Sequence, residues 1–493
     1  MRLSELLIRQ KENVNLAIKK GNESITYQSL HLAALEISES ILSVLENDSL
    51  CVTIFLPNSI SYAKAYFAIQ YINRIVVPVG PQAKSAEILS TIEYCESDLI
   101  ITDSQNLPYV KKCLSEYAHK VFVFNIDSFE MSFGNYKEDL IKKSDTLSPN
   151  LSDDDVAIML HTSGTTSNPK RVMLTHSNLI NNIESNISSL NLTKNDRVLI
   201  SMPMYFGYCN TAQFLTHIYL GASIIILDTM FLPKQFFQTV EQEKITNFTG
   251  VPSMLLMMLD YRYAYKYDYT SLKYVCFGGG KMPENKLKLL IEKYQSIGFV
   301  QTYGQTECSP RVTALMPNYS LSKLGSVGTP IPGVKVGVIN QEMQECKTNE
   351  IGEIIVSGKN VMKGYFKQLQ ITNDTIINGW VHTGDLGYLD EDGFLYLTGR
   401  IKNMIISGGI NIYPEEIEQI LLEHEAVAEV CVVAEEHERL GEVPVAKVIL
   451  KSEVTTKELL AHCSDRLANY KVPVKYEFVS ELPKTYNGKI RRH

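Results

Sequence analysis

Apolar residues in the first eighty positions follow two different periods. The continuous apolar runs at 51–56 and 76–79 predict buried strands, and the pattern over 62–68 predicts a helix between them. Strand, helix and strand in this order indicate a βαβ unit. A helix with one buried face is predicted after Tyr27, where apolar residues recur at helical spacing: Leu30, Ala33, Ala34, Ile37 and Ile41.

The same alternation of strand and helix returns in the middle of the chain. Strands are predicted at 224–227, 246–250 and 274–277, and helices at 236–241 and 287–290. Such alternation is typical of parallel sheets covered by helices. We therefore expect an α/β fold whose large N-terminal part contains parallel-rich sheets flanked by helices.

The pattern of predicted strands and helices changes after Gly399 and Arg400. A short apolar pair at 405–406 leads into a Ser-Gly-Gly turn, and a helix is then predicted to begin at Pro414, with apolar positions behind it. This change of pattern indicates a small α+β domain at the C-terminal end.

Length and charge limit the classes of function. At 493 residues, with 45% hydrophobic and 21% charged residues, the chain is globular and too long for one ordinary core. The 47 Lys and Arg against 55 Asp and Glu give a formal charge of -8, so no general attraction to nucleic acid or anionic lipid is expected.

Neither a secretory leader nor a membrane span is expected from the apolar runs. Charged residues interrupt the first twenty positions, and the longest strongly apolar run, at 218–227, is too short to cross a bilayer. The nine cysteines are scattered, without a Cys-x-x-Cys pair, which favours reduced thiols. Cys308, beside a candidate site, is expected to be a packing residue. We expect a cytoplasmic protein without membrane insertion.

A polar loop follows the strand predicted at 156–160. Small residues let backbone N–H groups approach phosphate oxygens, hydroxyls donate further hydrogen bonds and a lysine offsets charge, so the loop suits a polyphosphate. An ordinary polar turn has the same composition. The strict Walker motif fails, because Pro169 precedes the lysine and Arg171 follows it. The loop residues of interest are Thr162, Ser163, Gly164, Thr165, Thr166 and Lys170.

Two further segments supply carboxylates. Glu307 closes the segment 301–307, and a carboxylate suits a hard cation that bridges phosphates. Asp385 lies in 379–387, before a turn predicted at 388–393, where an Asp–Gly pair between alternating apolar residues predicts a hairpin. Its paired acceptor oxygens suit two hydroxyl groups. A solvated carboxylate at a helix start and a turn-capping aspartate are the structural alternatives.

Glycines and a basic tail complete the candidate motifs. Gly278, Gly279 and Gly280 follow the strand predicted at 274–277, and the segment 482–491 is basic. Taken alone, these features are equally consistent with an ordinary turn and a solvated tail.

These segments together, in this order over residues 155–490, resemble the adenylate-forming superfamily. That superfamily includes acyl-CoA synthetases, peptide-synthetase adenylation domains and firefly-type luciferases. The resemblance implies an ATP- and Mg²⁺-dependent ligase that joins a small carboxylic acid to a thiol through an acyl-adenylate, with release of pyrophosphate and AMP. It also implies a distorted barrel within the large domain and a mobile small domain.

The resemblance assigns a role to each motif. Lys170, the loop hydroxyls and Thr306 would surround the phosphates, and Lys489 would bridge carboxylate and phosphate. Glu307 and Thr165 would hold magnesium. Tyr303 would pack on adenine beside Gly279 and Gly280, while Asp385 would accept bonds from the ribose hydroxyls with help from Arg400.

A hinge and a second half-reaction are implied as well. Lys402 aligns with the interdomain hinge, which gives an N-terminal domain of residues 1–401 and a C-terminal domain of 402–493. Rotation about the hinge would withdraw Lys489 and present Gly408 and Gly409 to the acceptor thiol. That thiol would belong to CoA or to the phosphopantetheine of a carrier protein, which we expect to be a separate protein.

The acid pocket is expected to be apolar and aromatic. Amino-acid-activating relatives place an Asp in the first pocket segment, and none occurs between Met202 and Thr216, so an α-amino acid is disfavoured. A His found in many CoA ligases near Phe206 is also missing. Arg171 stands where many relatives have Gly; it either adds charge near the phosphates or points to solvent, and we expect the second. The pocket residues by resemblance are Tyr205, Phe206, Val251, Pro252, Gly278 and Gly304.

Three other functions remain open from the sequence. Within the family, the acid could be activated for a separate carrier protein, and a luciferase-like oxygenase is a more distant reading. Outside it, the chain could be a nucleotide-binding regulator without catalysis. The presence of Lys170, Glu307, Asp385 and Lys489 argues against this last alternative.

Overall fold

A computed structural model describes most of the chain. The described residues are 1–42, 50–115, 117, 121–133, 152–161, 170–228, 230–280, 282–484 and 492. None of the helices in these ranges combines the length and the apolar character that a bilayer crossing requires.

The α-helices of the described ranges cover residues in every third of the chain. They are α1 (Leu3–Ile8), α2 (Tyr27–Leu42), α3 (Ile60–Tyr71), α4 (Ser85–Cys95), α5 (Leu107–Leu114), α6 (His176–Leu190), α7 (Gly207–Cys209), α8 (Thr216–Leu220), α9 (Pro233–Glu243), α10 (Pro252–Asp260), α11 (Glu284–Lys293), α12 (Leu369–Thr375), α13 (Pro414–Glu423) and α14 (Thr456–Ser464). A π-helix, Asn210–Leu215, joins α7 to α8.

The strands alternate with these helices. They are β1 (Leu16–Lys20), β2 (Glu23–Thr26), β3 (Cys51–Phe55), β4 (Ile75–Val79), β5 (Ser97–Thr102), β6 (Phe122–Asn125), β7 (Glu130–Phe133), β8 (Val156–His161), β9 (Arg171–Thr175), β10 (Arg197–Ile200), β11 (Ser223–Ile226), β12 (Asn247–Gly250), β13 (Tyr274–Phe277), β14 (Gly298–Gly304), β15 (Arg311–Leu315), β16 (Ser326–Pro330), β17 (Val334–Ile339), β18 (Gly352–Gly358), β19 (Gly364–Tyr365), β20 (Ile376–Ile377), β21 (Trp380–Leu389), β22 (Leu395–Arg400), β23 (Ile405–Ser407), β24 (Ile410–Ile412), β25 (Val427–His437), β26 (Gly441–Leu450) and β27 (Lys475–Phe478).

Two sheets of the N-terminal part contain the parallel strands that the sequence predicts. In one, β8, β4, β3, β5 and β6 lie side by side in parallel, with β9, β19 and β7 antiparallel to their neighbours. In the other, β1, β11, β10, β12, β13 and β14 are parallel, and antiparallel strands continue from β15 onward. The predicted βαβ unit is β3, α3 and β4, and the α/β fold class is confirmed.

The helix α3 and the π-helix join the cores of these two sheets. The Tyr62, Tyr66 and Phe67 rings of α3 lie within 6.2 Å of the ring of Phe214, centroid to centroid, and all four side chains are buried. A helix that is apolar on all sides is expected to be enclosed on all sides. This packing holds the segment before the π-helix, which contains Tyr205 and Phe206, between the two sheets.

A smaller sheet is formed by the strands after Arg400, where the pattern of predicted elements changes. Its order is β24, β23, β26 and β25, with β27 parallel to β26. The helix α13 begins at Pro414, as predicted, and buries Ile417 and Leu421 on this sheet. The boundary at residue 402 itself stays a prediction.

Parallel strands direct their carboxyl ends toward one edge of the second sheet. Val251 follows β12, Gly278 follows β13, and Gly304 and Thr306 come at and after the end of β14. Ligands of open α/β sheets bind outside these ends. The candidate residues of several separate motifs therefore share one edge.

Candidate active site

Asp385 lies at one end of this region, between a buried tyrosine and an exposed arginine. The hydroxyl of Tyr303 donates a hydrogen bond of 2.8 Å to Oδ2 of Asp385, and Arg400 Nε lies 2.7 Å from Oδ1. Asp385 and Arg400 are paired residues of the hairpin β21–β22, which confirms the predicted hairpin. Burial, then the charge of Asp385, raises the pKa of Tyr303. The carboxylate is fixed, and its oxygens keep lone pairs for further donors.

Glu307 is held by a tyrosine that the sequence reading missed. The hydroxyl of Tyr365 donates a hydrogen bond of 2.8 Å to Oε1 of Glu307, and Nζ of Lys170 lies 4.7 Å from the Tyr365 ring centroid. Burial, then the charge of Glu307, raises the pKa of Tyr365. Tyr365 reaches this place because β19 pairs with β9, directly after Lys170. No local signal in the sequence predicts this pairing.

Lys402, the predicted hinge residue, lies near Asp385 and Lys170. Lys402 is exposed overall, but partial desolvation of its ammonium lowers its pKa, the positive charges of Arg400 and Lys170 lower it further, and the negative charge of Asp385 opposes them. Lys170, Arg400 and Asp385 thus all lie close enough to Lys402 to act on it electrostatically. Such a concentration of positive charge favours a polyanionic ligand.

The predicted phosphate loop itself lies outside the described residues. This applies to Thr162, Ser163, Gly164, Thr165 and Thr166, and Lys489 also lies outside them. The strands that flank the loop are described: β8 ends at His161, and β9 begins at Arg171, its antiparallel partner. The loop therefore connects two adjacent strand ends next to Lys170.

The acid-pocket candidates lie where backbone and side chains approach closely. A Cβ added to Gly278 would stand 2.6 Å from the carbonyl oxygen of Thr302, and one added to Gly304 would overlap the carbonyl oxygen of Pro310. Only glycine fits these two positions. The hydroxyl of Tyr208 is hydrogen-bonded to Thr302 Oγ1 over 2.6 Å.

Aromatic and apolar side chains complete this region. The rings of Tyr205 and Phe206 meet edge to face with centroids 4.7 Å apart, and the Tyr205 hydroxyl donates to Gln82 Oε1 over 3.1 Å. Val251 and Pro252 begin α10 at the end of β12. Gly279 and Gly280 follow Gly278 in the turn after β13.

Arg171 does not point to solvent, so the expectation for this residue is wrong. Its side chain is turned inward, only 3% of the residue is exposed, and Nη2 donates a hydrogen bond to Oγ1 of Thr91. Strand alternation does turn Arg171 away from Lys170, but α4 covers that face of β9. Alternation predicts the face of a strand and not what packs on it.

Cys308 is a packing residue, as expected. It is fully buried, and burial raises the pKa of its thiol far above the range in which a cysteine acts as a nucleophile. All nine cysteines are free thiols.

The donor groups near Lys170 suit a magnesium ion that also binds phosphate. Within the described ranges, no three His, Cys, Asp or Glu side chains come together as a complete protein-built metal site. Glu307 supplies one oriented carboxylate beside Lys170. Magnesium usually takes one or two carboxylates and completes its shell with water and phosphate oxygens, so this donor set fits it.

Comparisons with known proteins agree with this geometry. Residues 8–366 match the model of the AMP-binding enzyme family, and residues 416–489 match the AMP-binding enzyme C-terminal domain. The chain is 33% identical over 479 residues to the 2-succinylbenzoate–CoA ligase of Bacillus cereus, covering 97% of this chain and 94% of that protein. It is 32% identical over 482 residues, with the same coverage, to the ligase of that name from Bacillus subtilis.

Solved structures give the same answer. The o-succinylbenzoate CoA synthetase of Bacillus subtilis, in complex with the acyl-adenylate intermediate OSB-AMP, superposes with a TM-score of 0.87 at 29% identity, covering 100% of this chain and 97% of that one. The complex of that enzyme with ATP and magnesium ion gives 0.87 at 29%, with coverages of 99% and 98%. The chain therefore belongs to the AMP-binding enzyme family and is an ATP- and magnesium-dependent acid–thiol ligase that proceeds through an acyl-adenylate.

Proposed function

We propose that this enzyme joins a small carboxylic acid with an aromatic body to CoA, and that 2-succinylbenzoate is the first acid to test. The observation that carries the proposal is the convergence of Asp385, Glu307 and Lys170 beside a pocket edged by Tyr205 and Phe206. Support for the acid comes from the relatives: they are named 2-succinylbenzoate–CoA ligases, and their similarity extends over 97% of this chain.

ATP would lie with its ribose against Asp385. The two carboxylate oxygens, already oriented by Tyr303 and Arg400, would accept hydrogen bonds from the two ribose hydroxyls. The Tyr303 ring would pack on adenine, with Gly279 and Gly280 along the base. The triphosphate would then extend toward the cations Lys170 and Lys402.

In the first half-reaction the substrate carboxylate attacks the α-phosphorus and pyrophosphate leaves. Positioning and charge neutralisation account for most catalysis of phosphoryl transfer, and we assign these tasks to Lys170, Thr165, Thr166, Thr306 and Lys489. Glu307, together with Thr165, would hold magnesium, which neutralises phosphate charge. Tyr365 would act as a positioning residue, because its hydroxyl orients Glu307.

In the second half-reaction the thiol attacks the acyl carbonyl and AMP leaves. We propose that a domain of residues 402–493 rotates about Lys402 against a domain of residues 1–401. Gly408 and Gly409 would then face the thiol; they form the exposed turn between β23 and β24. The same rotation would remove Lys489 from the phosphate.

The pocket favours an acid without an α-ammonium group. A buried ammonium requires a counter-charge, and the first pocket segment carries no acidic residue between Met202 and Thr216. Aromatic rings pack favourably on an aromatic acid. A carrier-protein phosphopantetheine is the second candidate acceptor, since it presents the same thiol as CoA.

We also propose that the enzyme works in the cytoplasm. Nine free thiols, all but Cys346 buried, suit a reducing compartment. ATP and CoA as co-substrates would be supplied there.

Pyrophosphate exchange into ATP tests the proposal. The purified enzyme is given ATP, labelled pyrophosphate and one acid from a panel that contains 2-succinylbenzoate, benzoate, hexanoate and phenylalanine, and is then offered CoA or a holo-carrier protein. We expect acid-dependent exchange with 2-succinylbenzoate and thioester formation with CoA. Exchange with phenylalanine, or thioester on the carrier alone, would overturn the substrate and acceptor assignments respectively.

A further inference from the structure

The buried guanidinium of Arg171 faces a small recess beside the proposed acid pocket. The residues that line the recess with Arg171 include Gly80, Glu87, Thr91, His161, Tyr205 and Phe206. These last two residues belong to the proposed acid pocket. A charged side chain with 3% exposure therefore borders the place where the acid would bind.

Arg171 is oriented but its charge is not matched. Its Nη2 donates to Thr91 Oγ1, and the Thr91 hydroxyl donates to the carbonyl oxygen of Glu87 over 2.7 Å, so the threonine fixes the guanidinium. Its Nε is buried without a hydrogen-bond partner in the part of the chain that the structure describes. Among those residues, no carboxylate lies within ion-pair distance of Arg171.

Burying an unpaired cation is costly in general, and such groups are normally paired or hydrogen-bonded. Glu87 lines the same recess, and the charge of Arg171 lowers the pKa of this carboxyl against the larger, raising effect of burial. His161, the cross-strand partner of Arg171, is neutral near pH 7, because burial and then Arg171 lower its pKa to about 4. What the recess offers to an incoming anion is the buried Nε–H of Arg171, which has no partner among the described residues.

Lys170, rather than Arg171, lies beside the residues that we assign to magnesium and the phosphates. Lys170, the preceding residue, directs its ammonium to the ring of Tyr365 and so to Glu307. Arg171 points to the opposite side, toward α4. The two neighbouring cations therefore face different sides, and Arg171 faces the recess that Tyr205 and Phe206 also line.

We propose that Arg171 binds a second, unreacted anionic group of the acid substrate, and that the enzyme selects dicarboxylic acids through it. The guanidinium fork suits a carboxylate, which it contacts with charge-assisted hydrogen bonds. The inference rests on the proposed function, because it names the class of acid that the same pocket takes. 2-Succinylbenzoate has the two carboxylates that this arrangement requires.

Matched acids test the proposal. Pyrophosphate exchange is measured with 2-succinylbenzoate and 4-oxo-4-phenylbutanoate, which lacks only the ring carboxylate, and with adipate and hexanoate. The wild type, Arg171→Met, Arg171→Lys and the exposed control Arg9→Met are compared; the side chain of Arg9 is 60% exposed, and Arg9 is not among the residues that line the recess. We expect a dicarboxylate preference of about 10- to 100-fold in kcat/KM, the range of one or two charge-assisted hydrogen bonds.

The variants are expected to remove this preference through KM. Arg171→Met should raise the KM of the dicarboxylate about 10- to 100-fold with little change of kcat, and Arg171→Lys should retain part of the preference. The monocarboxylate should respond far less. The melting temperature of Arg171→Met should be equal to or above that of the wild type, because an unpaired buried charge has been removed.

Other outcomes separate the two proposals. Exchange with both members of a pair at equal kcat/KM refutes the dicarboxylate inference and leaves the ligase function standing, whereas no exchange with any acid contradicts the proposed function itself. A lower melting temperature in both Arg171→Met and Glu87→Gln, with the acid preference unchanged, assigns Glu87 as a structural counterion and refutes the inference. A defect confined to the reaction of preformed acyl-adenylate with limiting CoA assigns the anion to CoA and also refutes it.

Discussion

The two side chains that hold Asp385 provide a test of how burial sets the strength of a contact. Tyr303→Phe removes the hydroxyl that donates to Oδ2 over 2.8 Å, and Arg400→Gln removes the cation 2.7 Å from Oδ1. The two distances are almost equal. The exposures are not: Tyr303 is 8% exposed, whereas the Arg400 side chain is 45% exposed.

These exposures predict unequal losses of stability. A buried hydrogen bond to a charged group contributes about 1.5–3 kcal/mol, and its loss leaves one oxygen of Asp385 without a partner. A half-exposed ion pair contributes about 0–1 kcal/mol because water and salt screen it. We expect Tyr303→Phe to lower the free energy of unfolding by about 2 kcal/mol and Arg400→Gln by less than about 1 kcal/mol.

Urea denaturation of the two variants and the wild type measures these losses. The KM for ATP in pyrophosphate exchange follows in parallel, and we expect it to rise in both variants, because each orients the carboxylate that would bind the ribose. Arg9→Gln, an exposed position away from the site, controls for the loss of a surface arginine. A loss of stability in Arg400→Gln that equals or exceeds that in Tyr303→Phe would refute this reasoning.

Three further predictions concern catalysis, packing and pH. Lys489→Ala should reduce adenylation about a hundredfold or more while preformed acyl-adenylate is still consumed, and equal loss in both half-reactions would contradict domain rotation. Gly278→Ala should lower the free energy of unfolding by about 1–3 kcal/mol in urea titration, because its Cβ would stand 2.6 Å from the Thr302 carbonyl oxygen; an unchanged midpoint would contradict the close approach. Burial lowers the pKa of His217 from 6.5 to about 4, so the unfolded chain binds more protons between these values and stability should fall as pH drops from 6.5 to 4. Replacing His217 by Gln should reduce this slope in urea titrations at several pH values, and an unchanged slope would count against it.

Much of the fold could be predicted because short-range patterns decide it. The apolar run of β3, the helix α3 and the strand β4 form the expected βαβ unit, and the Asp–Gly turn at 392–393 forms the expected hairpin. Periodicity reports which residues are buried, and a short hairpin connection is a local event. The π-helix Asn210–Leu215 had no such signal, since its residues are polar and apolar in equal measure yet all buried.

The sequence predicts which motifs form the site, but it does not predict which of their side chains contact one another. Asp385 and Tyr303 are 82 residues apart in the sequence, and only the folded sheet gives them a hydrogen bond. The role of Tyr365 could not be predicted, because the pairing of its strand β19 with β9 is long-range. Arg171 was assigned to the wrong environment because the sequence does not say that α4 covers that strand face. Long-range packing, which propensity does not encode, explains all three.

Trapping of the intermediate tests the central claim most directly. The enzyme, α-labelled ATP, magnesium and 2-succinylbenzoate are mixed without CoA, quenched, and separated; CoA is added to a second portion before the quench. We expect acid-dependent formation of acyl-adenylate in the first portion and its conversion to AMP and thioester in the second. Label in ADP, or AMP formation that does not depend on any acid in the panel, would contradict it.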